Sequence, residues 1–163
     1  MLVANPPVNL IRRQPLSPKT NRNLMAEKFT PEEREAMRER ARELKAAKGA
    51  QNKAADEALV LEKIAAMAPA DRKLAQRIHD LIKHHTPELD AKTWYGMQAY
   101  FKDGKVVCFF QDGGKFKTRY CTLGFQEAAN LDSGMMWPTS YALLEIDEAT
   151  EKAIVKLLKT AVS

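Results

Sequence analysis

The sequence predicts an α+β fold, with a small antiparallel sheet packed against N- and C-terminal helices and preceded by a charged helix and a disordered tail. Three observations predict it. From Lys92 to Leu123, apolar or alternating runs are separated by turn residues. Before that stretch, and again after Asp147, Leu, Ile and Val recur at helical spacing. The first residues combine Pro6, Pro7, Pro15 and Pro18 with no period of either kind. The boundaries are 1–24 for the tail, 25–55 for the charged helix and linker, and 56–163 for the α+β domain.

The net charge of +5 is concentrated at the N-terminus. Residues 1–30 hold Arg12, Arg13, Lys19, Arg22 and Lys28 against Glu27 alone. Residues 31–64 balance eight basic with eight acidic side chains, and the remainder sets thirteen against twelve. A basic tail can hold phosphate backbones electrostatically, but nothing in it reads bases, so nucleic acid is not the expected partner. Met25, Ala26, Glu27 and Lys28 lead directly into a helix start, which makes Met25 an alternative start to Met1.

Thr30, Pro31, Glu32 and Glu33 form a helix entry, and the helix runs to about Lys48. Glu35, Glu39 and Glu43 alternate with Arg34, Arg38 and Arg42 on a solvated face. Met37, Ala41 and Leu44 make a narrow apolar line, so this helix either docks weakly or projects. Gly49 to Ala55 reads as a linker, and Val60, Leu61, Ile64 and Met67 as the apolar face of a second helix. Pro69 opens a third, with Asp71 in its first turn and Leu74, Ile78, Leu81, Ile82 and His85 at helical spacing until Thr86 and Pro87. His79 and His84 point to different faces and are expected, with His85, as solvated helix-end histidines rather than a chelating pair.

The sheet begins with Trp94 to Phe101, interrupted at Gly96, which suggests a bulge or a close backbone approach. Asp103 and Gly104 mark a two-residue hairpin, and the wholly apolar Val106 to Phe110 a central strand. Asp112, Gly113 and Gly114 read as the next turn. From Lys115 a strand places Phe116, Thr118 and Tyr120 on one side, and Lys117, Arg119 and Cys121 on the other. That register sets Gln111 opposite Lys115 and Cys108 opposite Thr118, which leaves Cys121 out of bridging register, so reduced, buried thiols are expected. The loop from Gly124 to Pro138 carries Phe125, Leu131, Met135, Met136 and Trp137. It is expected to fold back over the sheet, either completing the core or roofing a pocket walled by Trp94, Tyr95 and Tyr100. Ser140 to Ile146 gives a last strand, and Asp147 caps a final helix with Ala153, Ile154, Leu157, Leu158 and Ala161 inward.

No Ser, His and Asp constellation, phosphate loop or histidine pair with a carboxylate is present, so an enzyme is not expected. Cys108 lies in an apolar run where a thiol is inert. No apolar run reaches the length of a membrane span, and none follows Arg12 and Arg13 as a secretory signal would require; a cytoplasmic location without a membrane partner is expected. The candidate ligand or partner face comprises Trp94, Tyr95, Tyr100, Lys115, Lys117 and Arg119, with Trp137 from the loop. Its cations and aromatics suit an anionic ligand or an acidic partner; the other reading is a solvated face whose edge lysines discourage aggregation.

Trp94, Tyr95, Gly96 and Met97 after a short helix, Val106 to Phe110, Lys115 to Lys117, Gly124 and Phe125, Leu131 and Asp132, and the closing helix carry a resemblance. Over about Lys63 to Val162 the chain resembles the YdhG-like family, small bacterial proteins of unknown function with a frataxin-like fold that are often labelled intracellular iron chaperones. The resemblance implies a frataxin-like sandwich, iron as a ligand and iron–sulfur assembly proteins as partners, with no metal-ligating residues identified. The helix matching the acidic one of frataxins carries Asp71 and Asp80 against Arg72, Lys73, Arg77 and Lys83, so it lacks an acidic ridge suited to ferrous iron.

Overall fold

The computed structural model describes residues 29–46 and 52–163. The tail, Met25 as a start, and residues 47–51 of the linker lie outside the described residues. The chain divides into a unit Met1–Thr30, in which only Phe29 and Thr30 are described, and a unit Pro31–Ser163.

The second unit is α+β. Helices α1 (Pro31–Ala46), α2 (Lys53–Ala65) and α3 (Pro69–His85) precede strands β1 (Asp90–Trp94), β2 (Met97–Lys102) and β3 (Lys105–Gln111). A single helical turn, α4 (Gly113–Phe116), then leads to β4 (Cys121–Phe125), β5 (Ser140–Leu143) and α5 (Glu148–Val162). The five strands form one antiparallel meander in sequence order, so the apolar β3 is central as expected. Among the described residues no helix is long and apolar enough to cross a membrane.

Register and alternation put Ala91, Tyr100, Cys108, Phe110, Leu123, Phe125 and Leu143 on one sheet face. They join Val60 and Ile64 of α2, five apolar side chains of α3, and Ile154, Leu158 and Ala161 of α5 in one core. On the other face the Phe109 ring lies over Gly124, where any Cβ would collide with it, and packs 5.4 Å from Trp94. A polar chain crosses the core. The Tyr100 hydroxyl lies 3.0 Å from His79 Nδ1 and accepts from Gln98 Nε2 at 3.2 Å, and His79 Nε2 lies 3.3 Å from Glu57.

Five expectations are corrected. Asn52 caps α2 through the Ala55 amide at 3.3 Å, so the helix begins at Lys53, inside the expected linker. His79 is buried rather than solvated, because Tyr100 and Glu57 satisfy its ring nitrogens. Gly96 marks no bulge: Trp94 pairs with Met97 across a two-residue turn, and the register shift falls between Tyr100 and Phe101. No strand starts at Lys115. Asp112 accepts the Lys115 amide at 3.1 Å and closes the α4 turn, and the pairing resumes with Gln111 opposite Thr122 and Cys108 opposite Phe125. Finally, Met135 and Met136 stand in solvent at 101% and 88% exposure, and do not cover the sheet. Leu131 packs against the core, and Phe125 is a buried residue of β4.

Candidate functional site

Tyr95 and Gly96 both adopt positive φ, 53° and 72°, which suits a primed hairpin turn matching the strand twist. Glycine at the second position suits the positive φ, and any side chain there would also displace its neighbours. A Cβ there would run into the Glu39 carboxylate and the Lys115 ammonium. The turn leaves two adjacent backbone amides pointing away from the sheet ladder. Both donate to the Glu43 carboxylate of α1, Tyr95 N to Oε2 and Gly96 N to Oε1, each at 3.1 Å. One carboxylate is thus held by a bidentate backbone clamp.

A second carboxylate sits beside it. Glu39 accepts from Lys63 of α2 at 2.5 Å and from Lys115 of α4. Burial alone would raise the Glu39 carboxyl; the hydrogen bonds and charges of Lys115 and Lys63 outweigh it and hold the pKa below its usual 4.5. A third pair joins Glu32 to Lys117. Arg40 completes the corner, 3.3 Å from Glu43 and 5.7 Å above the Tyr95 ring.

The α4 turn aims the two lysines. Its start is fixed by Asp112 and by Asp71 of α3, whose carboxylate accepts the Gly114 amide at 2.7 Å. Its end is fixed by Lys117, which takes a left-handed conformation and returns its amide to the Gly113 carbonyl. Cys121 donates to the other Asp71 oxygen at 3.3 Å.

The structure brings Tyr95, Lys115 and Lys117 together at this corner, and Trp94 adjoins it through the edge-on contact of its ring with Tyr95 at 4.9 Å. Tyr100 is fully buried in the core. Arg119 is exposed and lies over the Tyr120 ring, and Trp137 is half-buried ahead of β5; neither contributes a hydrogen bond or ion pair to the corner. An open groove of about 400 Å³ lies beside Trp94, lined by Lys105, Val106, Gln126, Glu127 and Ala128.

Sequence reasoning missed Lys63, Glu32, Glu39 and Glu43 as parts of one site. At about 100° per residue, Glu32, Glu39 and Glu43 fall within an arc of about 40°, with Ala36 beside them. Met37, Ala41 and Leu44 lie on the far side and are exposed. The helix docks by its acidic stripe, and its narrow apolar line is the outer one.

A scan of the chain against protein-family models finds no match, and searches of curated proteins and of solved structures find no similar protein.

Proposed function

We propose that the protein is a non-enzymatic binding module that holds the carboxylates of an anionic partner at the corner formed by Tyr95, Gly96, Lys63, Lys115 and Lys117. One observation carries this reading: two backbone amides clamp the Glu43 carboxylate while two lysines hold Glu39 beside it. Carboxylate and phosphate oxygens make the same demands on such donors, so a small anion and an acidic protein segment are both within its chemistry. The thiols support the non-enzymatic part. Burial pushes Cys108 up to about 12 and Cys121 up to about 11, where neither is a nucleophile at neutral pH.

The test is capture of an acidic peptide by the full chain and by its Lys115→Glu, Lys117→Glu variant. The reading requires capture by the first and its loss in the second.

The resemblance to the YdhG-like family supports a finer description, a frataxin-like sandwich in a cytoplasmic bacterial protein. Iron handling, with iron–sulfur assembly proteins as partners, rests on that resemblance alone. Among the described residues no group of three His, Cys, Asp or Glu side chains is placed to hold a metal ion. Calorimetric titration of ferrous iron into the full chain tests it, with saturable micromolar binding as the required result.

A further inference from the structure

We infer that α1 is a built-in, displaceable occupant of the carboxylate corner, and that the partner that displaces it is an acidic helix carrying carboxylates at the first, eighth and twelfth positions of one face. The inference rests on the binding-module reading above and adds how the corner is closed and what opens it.

The way α1 is seated carries the argument. α3 buries six side chains in the fold, and α5 buries three. Among the described side chains of α1, Ala36 alone is buried. What holds the helix is charge: Glu32 on Lys117, Glu39 on Lys63 and Lys115, and Glu43 on the amides of Tyr95 and Gly96. Such contacts are geometrically specific but individually weak where water reaches them, and salt screens them. Three of the receiving groups are lysines. Lys63 lies on α2, which is anchored by Val60 and Ile64, and Lys115 and Lys117 lie at the α4 turn, which is held by Asp112 and by Asp71 of α3. None of these supports comes from α1, so the receiving surface persists when α1 leaves.

The partner's chemistry follows from the geometry that α1 displays. The corner reads three carboxylates at spacings of seven and four, which a helix presents along one stripe and an extended chain does not. It also tolerates a cation beside the third carboxylate, as Arg40 lies between Glu43 and the Tyr95 ring. α1 leaves its apolar line, with Met37 and Leu44, in solvent, so the corner selects by charge and not by apolar surface.

A closed site binds in trans with an affinity reduced by the fraction of molecules that are open. The probe is a labelled synthetic peptide copying Pro31–Ala46, offered to the full chain and to its Glu39→Gln, Glu43→Gln variant, which weakens the seat in cis. The variant is expected to bind the peptide about tenfold more tightly than the parent chain, as its open fraction rises. Hydrogen exchange supplies the structural reading. Peptide addition, or a rise from about 0.05 to about 0.5 M salt, is expected to speed exchange in α1 while leaving α3 and β2 unchanged.

The outcomes separate the two claims. Equal affinity of parent and variant, with binding lost on Lys115→Glu, leaves the binding module intact and overturns displacement. Peptide binding while α1 keeps its exchange protection overturns it equally. No binding by either chain removes the binding module itself. A dimer that forms in proportion to peptide-free chain concentration, with α1 protected in it, assigns the corner to a second copy and overturns the separate acidic partner.

Discussion

Glu43 and Gly96 lie 53 residues apart in the sequence, and the carboxylate of the first accepts the backbone amide of the second at 3.1 Å. The Tyr95 amide takes the other oxygen at the same distance. A tight turn that would otherwise expose two unsatisfied donors has them met by a side chain of a remote helix.

Gly96→Ala should undock α1 without unfolding the core. The new Cβ needs a left-handed backbone and the space filled by Glu39 and Lys115. The backbone term alone costs roughly 1–2 kcal/mol. Hydrogen exchange should show α1 amides losing protection while those of α3 keep theirs; unchanged α1 protection would contradict the account.

Acid should release α1 before the domain melts. The folded pKa of Glu39 lies below its unfolded value of 4.5, so its pairing contributes fully above pH 4.5 and is lost as pH falls through the lower folded value. An acid titration followed by exchange in α1 and by near-ultraviolet signals from the core should resolve two steps, with α1 first. In Glu39→Gln the early step should shrink, as the Glu39 pairing no longer contributes to it.

Tyr100→Phe should cost about 1–3 kcal/mol, because His79 Nδ1 and Gln98 Nε2 both lose a buried partner. Denaturant melts measure this. A cost near zero would mean that the core chain is not formed.

His79 gives a second, independent pH dependence. Burial lowers its pKa, and the charge of Glu57 restores only part of the loss. Below its unfolded value of 6.5 the unfolded chain takes up a proton that the folded one refuses, so stability should fall as pH drops from 6.5 and level off below the folded value. Melts between neutral pH and pH 5 should show the slope, and NMR should find the His79 ring titrating below the usual 6.5.

The strand and helix periods carried most of the fold. The central β3, the Asp103–Gly104 turn and the Asp147 cap all follow from local residue chemistry. Misreadings arose where two local codes coincide. Phe116 to Cys121 alternates like a strand, but Asp112 and two glycines favour a capped turn, and the capped turn prevails with help from Asp71. Tyr95 is a bulky residue in a conformation that usually belongs to Asn or Asp, which hid a two-residue turn inside an apparent strand. The candidate site was half legible. Tyr95, Lys115 and Lys117 could be named from their aromatic and basic character, but their occupant could not. Docking by an acidic stripe leaves no hydrophobic period to follow, and the groups that receive Glu39 and Glu43 outside α1 are 24 to 76 residues away.

Calorimetric titration of an acidic helical peptide into the Glu39→Gln, Glu43→Gln chain, and into the same chain carrying Lys115→Glu, tests the carboxylate corner most directly. The account predicts saturable binding to the first and a loss of at least about tenfold in the second. Equal affinity in the two chains would contradict it.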